Sequence, residues 1–499
     1  MSATATLDDW KSRAASLSIR GQAFIGGKSE ASETGKTFDC VSPIDGKVIA
    51  KVAACEAPDV EKAVRAARAA FESGVWSNMA PAKRKRVLLK FSDLILKNRD
   101  ELALLETLDV GKPIRFSTVV DIPGAAAAIA WYAEAIDKLY DEIAPTDPSA
   151  IAMIMREPVG VVAAVVPWNF PLLMASWKIG PVLAAGNSLI LKPAEQSPLT
   201  ALRVAELAAE AGIPEGVFNV VPGFGETAGQ ALGRHMDVDC VTFTGSTEVG
   251  KLFLKYAGES NMKRVSLECG GKSPNIVLAD APNLDAAAKA AAFGIFFNQG
   301  EVCNAGSRLL VQESIKDEFL EKVMAVGKRM QPGNPLDPAT MMGAMVDRTQ
   351  TERVMGYIEA GRKAGAELKM GGRQANAESG GFYVEPTVFD KVDNGMKIAQ
   401  EEIFGPVLST ITFKDVADAI RIGNDTIYGL AAAVWTRDIT TAHKVARALK
   451  AGLVWVNAYD AGDITIPFGG YKQSGFGRDR SLHALEKYTQ LKTTWINIG

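Results

Sequence analysis

The chain has 499 residues, 47% hydrophobic and 23% charged, so it is too long for one ordinary core and too apolar for a disordered protein. Its 55 basic and 58 acidic residues leave a net charge of −3, which gives no electrostatic footprint for nucleic acid or an anionic membrane. Five scattered cysteines and three scattered histidines argue against a disulfide framework and a metal site, and read as the reduced thiols of a cytoplasmic protein.

In chain order, residues 1–17 carry Asp8 and Asp9 and no apolar run, so no secretory signal is expected. Leu88, Phe91 and Ile95 fall three and four residues apart and predict an amphipathic helix. Residues 122–140 are alanine-rich with Pro123 near the start, which predicts a second helix. Residues 159–174 are the most apolar stretch, but Pro167, Asn169 and Pro171 break it too soon to span a bilayer. From residue 160 short β-branched runs alternate with helical segments. Strands are expected at 161–166, 188–191, 217–221 and 241–243, with a helix at 199–211 that stops at Gly212. A second α/β series is expected from strands at 275–278, 307–311, 431–434 and 453–456 and a helix at 313–329. Two doubly wound α/β domains with a cleft between them fit this order. Residues 490–498 alternate polar and apolar and read as a lone terminal strand, for which a partner subunit is the natural sheet.

Two constellations carry chemistry. Cys303 follows a helix and Gly300 and precedes a strand; its thiol is a candidate nucleophile, although a loop cysteine at that place is as readily a packing residue. Glu268 ends a strand just before Gly270 and Gly271, whose freedom allows a sharp turn, so its carboxylate can project into a cleft as a general base. Strand alternation sends Cys269 to the opposite face, as a packed side chain. Gly223, Gly225, Gly245 and Gly250 mark glycine-bearing strand-to-helix turns without the dinucleotide fingerprint, each a weak signal alone.

The segment around Cys303, the Leu267–Glu268–Cys269–Gly270–Gly271–Lys272 turn, Pro167–Trp168–Asn169–Phe170–Pro171, Lys192–Pro193–Ala194–Glu195, Phe243–Thr244–Gly245–Ser246–Thr247, Glu402–Ile403–Phe404–Gly405–Pro406 and Pro467–Phe468–Gly469–Gly470–Tyr471–Lys472 together resemble the motifs of the aldehyde dehydrogenase superfamily, in family order and over nearly the whole chain. The resemblance implies NAD-dependent oxidation of an aldehyde to a carboxylic acid through a Cys303 thiohemiacetal and thioester. Asn169 and the main-chain N–H of Cys303 would face the oxyanion, and Glu268 would activate the hydrolytic water. Lys178 and Asp479 would relay a proton to that base, although many relatives carry Glu where this chain has Asp479. The cofactor would lie on Trp168, Lys192, Glu195, Gly225, Gly245, Ser246, Glu402 and Phe404. The Glu195 carboxylate would accept from a ribose 2′-hydroxyl and repel a 2′-phosphate, favouring NAD over NADP.

For the substrate, Phe170, Trp177 and Phe468 are expected as aromatic walls, and Asp121, Asp460 and Asp463 as acids that draw in a cation. That pattern resembles the aminoaldehyde branch, the γ-glutamyl-aminobutyraldehyde and guanidinobutyraldehyde dehydrogenases of polyamine and arginine breakdown. The alternative is that the three acids are ordinary surface carboxylates and the enzyme takes aliphatic or aromatic aldehydes broadly. A CoA-acylating enzyme is a further alternative, against which Glu268 argues. The implied fold has a dinucleotide-binding domain (1–140 and 159–271), a catalytic domain (272–485) and a small β oligomerisation arm (141–158 and 486–499) that would make a homo-dimer or tetramer.

Overall fold

The computed structural model describes residues 5–499. Its first sheet has eight strands, in the order Lys28–Glu30, Ala23–Ile25, Phe218–Val220, Ser188–Lys192, Val161–Val165, Cys240–Gly245, Arg264–Cys269 and Gly475–Phe476. The five central strands run parallel, while the edge strands at both ends are antiparallel. Val161–Val165 and Ser188–Lys192 are buried at every position, as expected of strands covered by helices on both faces. The strand order reverses between Val161–Val165 and Cys240–Gly245, and such a switch point opens a crevice at the carboxyl ends of the strands.

The second sheet has seven strands, ordered Glu367–Met370, Thr387–Asp390, Val407–Phe413, Arg308–Gln312, Pro274–Val277, Ala431–Trp435 and Leu453–Val456, and only the first is antiparallel. Glu367–Met370, Thr387–Asp390 and Val407–Phe413 are additions to the strands expected from sequence. The expected 313–329 helix begins as a 3-10 turn at Glu313–Ile315 and becomes α-helical at Lys316–Gly327. The helix Leu199–Ala211 stops at Gly212, whose φ of 103° closes it in the left-handed region. The predicted 122–140 helix is shorter, Ile122–Ala135 followed by a 3-10 turn at Ile136–Lys138, and packs on Pro81–Lys97 and Pro171–Ala184.

The terminal strand departs from the lone-strand reading and joins the 141–158 segment with which the resemblance grouped it. Thr489–Asn497 pairs antiparallel along its full length with Ala150–Pro158 of the same chain, and Glu142–Ala144 adds a third strand. It is therefore not a lone strand awaiting another subunit. Gly475–Phe476 also crosses back from the second half of the chain to edge the first sheet beside Leu267 and Glu268.

Candidate active site

The helix Leu284–Phe296 ends in a run of left-handed residues, Asn298 (φ 48°), Gln299 (φ 57°) and Gly300 (φ 72°). Two of these are not glycine, and such backbone persists only where its surroundings hold it. The Asn298 amide donates to the main-chain oxygens of Asn169 (3.0 Å) and Glu301 (3.2 Å). Gln299 accepts from the Gly343 N–H at 2.9 Å, and the Glu301 carboxylate accepts from the Val346 N–H at 3.0 Å. At Gly300 a Cβ would lie 2.2 Å from the Gly405 carbonyl oxygen, so no larger residue fits. This locked turn delivers Cys303, half-buried, to a cleft between the two sheets.

Glu268 arrives from the other side, at the end of Arg264–Cys269. Its carboxyl is 3% exposed and, among the described residues, neither oxygen has a hydrogen-bond partner. Burial pushes its pKa well above the usual carboxylate range and Asp479 adds to that, against the pull of Lys178, Lys487 and Arg478. The two glycines that follow make room: a Cβ at Gly270 would strike the Glu402 carboxylate at 1.9 Å, and one at Gly271 would lie 2.6 Å from the Cys303 carbonyl oxygen. The side chain of Cys269 packs against the helix Thr247–Gly258, 3.0 Å from where a Cβ on Gly250 would be, as strand alternation predicts.

Asn169 follows the strand Val161–Val165 and is buried, its amide donating to the Glu301 carbonyl at 2.8 Å. Lys178, one face further along Pro171–Ala184, forms a fully buried ion pair with Asp479. Lys487 approaches the same carboxylate at 2.5 Å. Burial alone would raise the pKa of Asp479, but the two ammonium groups outweigh it and hold the carboxyl ionised below its ordinary value. The shorter Asp thus still reaches Lys178. Its backbone is pinned by a two-way bridge to Phe468, with both N–H···O distances 2.7 Å. Burial of the thiol, and then the carboxyls of Glu402, Glu268 and Asp460, push the pKa of Cys303 upward.

On one side of Cys303 the cleft is lined by Trp168, Asn169, Gly245, Ser246, Glu268, Glu402 and Phe404. Ser246 caps the helix Thr247–Gly258, its hydroxyl accepting from the Val249 N–H at 3.2 Å, and the first-turn N–H groups of such a helix favour an anion. The hydroxyl of Thr244 is buried there without a partner among the described residues. Glu402 accepts from the Gly271 N–H at 3.0 Å, and the Phe404 ring meets Trp168 edge-on at 5.1 Å. Lys192 and Glu195 stand at the neighbouring strand end, outside this lining, 3.5 Å apart; the Lys192 ammonium is buried and Glu195 is half-exposed. Space over Gly225, at the start of a π-helical turn, is open. An unpaired buried hydroxyl, an anion-favouring helix end and open space over Gly225 fit a dinucleotide.

On the other side of Cys303 a second cleft is walled by Phe170, Trp177 and Phe468, with Trp177 and Phe468 at 5.4 Å. Asp460 and Asp463 line its mouth, and Asp460 accepts from the Asn304 amide at 2.8 Å. Asp121 does not belong with them. It is wholly buried, 2.9 Å from the Lys112 ammonium, which also lies 3.8 Å from the centre of the Phe170 ring. An acid on a helix beside the cleft read from sequence as lining it, but Lys112 turns it into the core behind the wall.

Sequence reading missed Gln350 and Arg353, which line the cofactor-side cleft from Arg348–Lys363 and donate to the main-chain oxygens of Phe404 (2.7 Å) and Glu402 (3.1 Å). It also missed Lys487 and Arg480. Gln350 and Arg353 reach the site from a distant segment that no motif marks, while Arg480 and Lys487 follow Asp479 closely but lie outside the motif that carried it.

A model of the aldehyde dehydrogenase family matches residues 30–494. The NADP/NAD-dependent aldehyde dehydrogenase PuuC of Escherichia coli (strain K12) is 56% identical over 489 residues, 98% of each chain. The solved structure of the γ-glutamyl-γ-aminobutyraldehyde dehydrogenase of Burkholderia cenocepacia J2315 is 63% identical, with a TM-score of 0.98 over 99% of this chain and 100% of that one. The indole-3-acetaldehyde dehydrogenase AldA of P. syringae, solved with NAD+ and IAA, is 62% identical over the same shares, also at a TM-score of 0.98.

Proposed function

The chain belongs to the aldehyde dehydrogenase family, and from that footing we propose that it oxidises ω-amino or ω-guanidino aldehydes, of the kind formed in polyamine and arginine breakdown, with Cys303 as the covalent nucleophile. It is an NAD-dependent aldehyde dehydrogenase. The observation that carries the catalytic reading is the convergence of Cys303, Glu268 and Asn169 on one cleft between the sheets.

In this reading the Cys303 thiol gives its proton to solvent water in the cleft and the sulfur adds to the aldehyde carbon, making a thiohemiacetal whose oxygen carries negative charge. The Asn169 amide and the Cys303 N–H stabilise that oxygen where its charge develops. Bound NAD supplies the hydride acceptor, and the Cys303 adduct is left as a thioester. Glu268 then takes a proton from water, which attacks the thioester carbon and releases the carboxylic acid and the thiol. Lys178 and Asp479 pass the proton away from Glu268. Ser246, Gly245, Gly225, Lys192, Glu195, Glu402, Phe404 and Trp168 would hold the cofactor, with Glu195 disfavouring a 2′-phosphate.

The acids Asp460 and Asp463 on the aromatic-walled cleft support an ammonium-bearing substrate, as does the similarity to a γ-glutamyl-γ-aminobutyraldehyde dehydrogenase. A second reading, an uncharged aromatic aldehyde, is favoured by the Phe170, Trp177 and Phe468 walls and by the similarity to an indole-3-acetaldehyde dehydrogenase. An aldehyde panel separates them. With NAD and NADP in parallel, kcat/KM for 4-aminobutanal or 4-guanidinobutanal should exceed that for butanal. A preference for butanal or an aryl aldehyde would overturn the aminoaldehyde reading.

The domain division proposed is the one expected from sequence, with the dinucleotide bound on 1–140 and 159–271 and the nucleophile on 272–485. The three-stranded arm leaves Ile143, Leu491 and Trp495 exposed, at 75%, 60% and 62%. Apolar side chains gathered on one small sheet support a homo-oligomer, dimer or tetramer, assembled through it. A cytoplasmic location agrees with five unpaired cysteines.

A further inference from the structure

We propose that Arg480 is a specificity residue at the mouth of the aldehyde cleft: its guanidinium anchors a carboxylate, and so selects, among the ω-amino aldehydes of the proposed class, those that carry a carboxylate beside the ammonium, as a γ-glutamyl aldehyde does. This rests on the aminoaldehyde reading and narrows it.

Arg480 lines the same cleft as Cys303, Asp460 and Asp463. Its position is built. Arg480 and Ser481 both have left-handed backbone, φ 62° and 50°, which non-glycine residues keep only under constraint. Ser481 supplies that constraint. It is buried, its N–H donates to the Ile464 carbonyl at 2.7 Å, and its own carbonyl accepts from the Tyr132 hydroxyl at 3.3 Å. The turn sends the guanidinium over the face of Trp177, 5.3 Å from the ring centre, on the wall that a substrate would pass.

A guanidinium has five N–H donors in a fixed fork. Here one nitrogen donates to the main-chain oxygen of Asp463, and among the described residues no carboxylate oxygen lies within the 4.0 Å of an ion pair. Asp460 uses one oxygen on Asn304 and Asp463 uses one on Thr465, which leaves the second oxygen of each without a protein partner. The mouth therefore offers one cationic fork and two half-engaged carboxylates. A simple ammonium aldehyde would meet a net attraction from the two acids, reduced by repulsion from Arg480. An amino-acid terminus satisfies both: its ammonium sits against Asp460 or Asp463, and its carboxylate takes the planar fork two-pronged, which Arg does better than Lys.

The test is a matched pair of aldehydes, 4-(γ-glutamylamino)butanal and its analogue lacking only the α-carboxylate, 4-(4-aminobutanoylamino)butanal. For the wild-type enzyme the ratio of kcat/KM should favour the carboxylate-bearing member by about tenfold or more. In Arg480→Met the ratio should fall toward one, and in Arg480→Lys it should lie between. Taking the ratio cancels any effect of the substitution common to both aldehydes. A second readout needs no turnover: the corresponding unreactive alcohols, titrated by tryptophan fluorescence against Cys303→Ala enzyme, should show the same discrimination in Kd, lost in Cys303→Ala/Arg480→Met. A wild-type ratio near one, or a ratio unchanged in Arg480→Met, would overturn the proposal. If 4-aminobutanal shows no advantage over butanal, the aminoaldehyde reading itself has failed; if that advantage holds while the matched pair is equal, only the role of Arg480 has.

Discussion

The side-chain amide of Asn169 donates to the main-chain oxygen of Glu301 at 2.8 Å, two residues before Cys303. One N–H of the amide thus ties the segment after the strand Val161–Val165 to the nucleophile turn, and the other is left for the substrate oxygen. Asn169→Ala should lower kcat by about 10²–10³, the usual cost of one oxyanion donor, with a smaller change in KM. Steady-state kinetics checks this, with a thermal melt to show that the turn at Asn298 has survived the loss of its neighbour. A fall of less than tenfold would remove Asn169 from the oxyanion site.

Glu268 has its pKa raised well above the carboxylate range by burial and by Asp479. Its basic form is therefore gained as pH rises, so kcat should climb with pH along an acid limb. Glu268→Gln should leave a first-turnover burst of NADH, slow the later turnovers by about 10²-fold, and erase that limb. Stopped-flow absorbance reads both effects. Wild-type steady-state rates in the variant would show that another group activates the water.

Asp479 is held ionised by Lys178 and Lys487 in a site closed to solvent. Its folded pKa is depressed, so its contribution to stability is present above its unfolded pKa and is lost as pH falls through the lower folded value. Asp479→Asn should leave the buried Lys178 and the part-buried Lys487 without their carboxylate and cost on the order of 3–5 kcal/mol at neutral pH, read as a lowered denaturant midpoint. It should also move the acid limb of kcat to lower pH, because a charge that opposes ionisation of Glu268 has gone. An unchanged pH profile would separate Asp479 from the base.

Much of this was readable beforehand, for physical reasons. Val161–Val165 is a continuous β-branched and alanine run bounded by Gly160 and Pro167, and a strand covered on both faces leaves that imprint. Glu268 was legible as a strand-end carboxylate because Gly270 and Gly271 mark the chain reversal, whereas Asn169, Ser246 and the choice of Cys303 as nucleophile came from the resemblance of their motifs to the family. Other features had no local imprint. Asp121 shows a carboxylate on a helix but not the Lys112 that draws it inward. Arg480 takes its orientation from Ser481, Tyr132 and Trp177, the last two some 300 or more residues away in the chain. The partner of Thr489–Asn497 is fixed by a register with Ala150–Pro158 that no local pattern contains.

The central claim is that the sulfur of Cys303 carries the substrate as an acyl group. Intact-protein mass spectrometry on enzyme quenched within the first turnovers with NAD and an aldehyde tests it directly. The wild-type chain should gain the mass of one acyl group, mapped by digestion to the peptide holding Cys303, while Cys303→Ala gains none and makes no NADH. A Cys303→Ala enzyme that still oxidises aldehydes at the wild-type rate, or an acyl group found on Cys269 instead, would contradict the account.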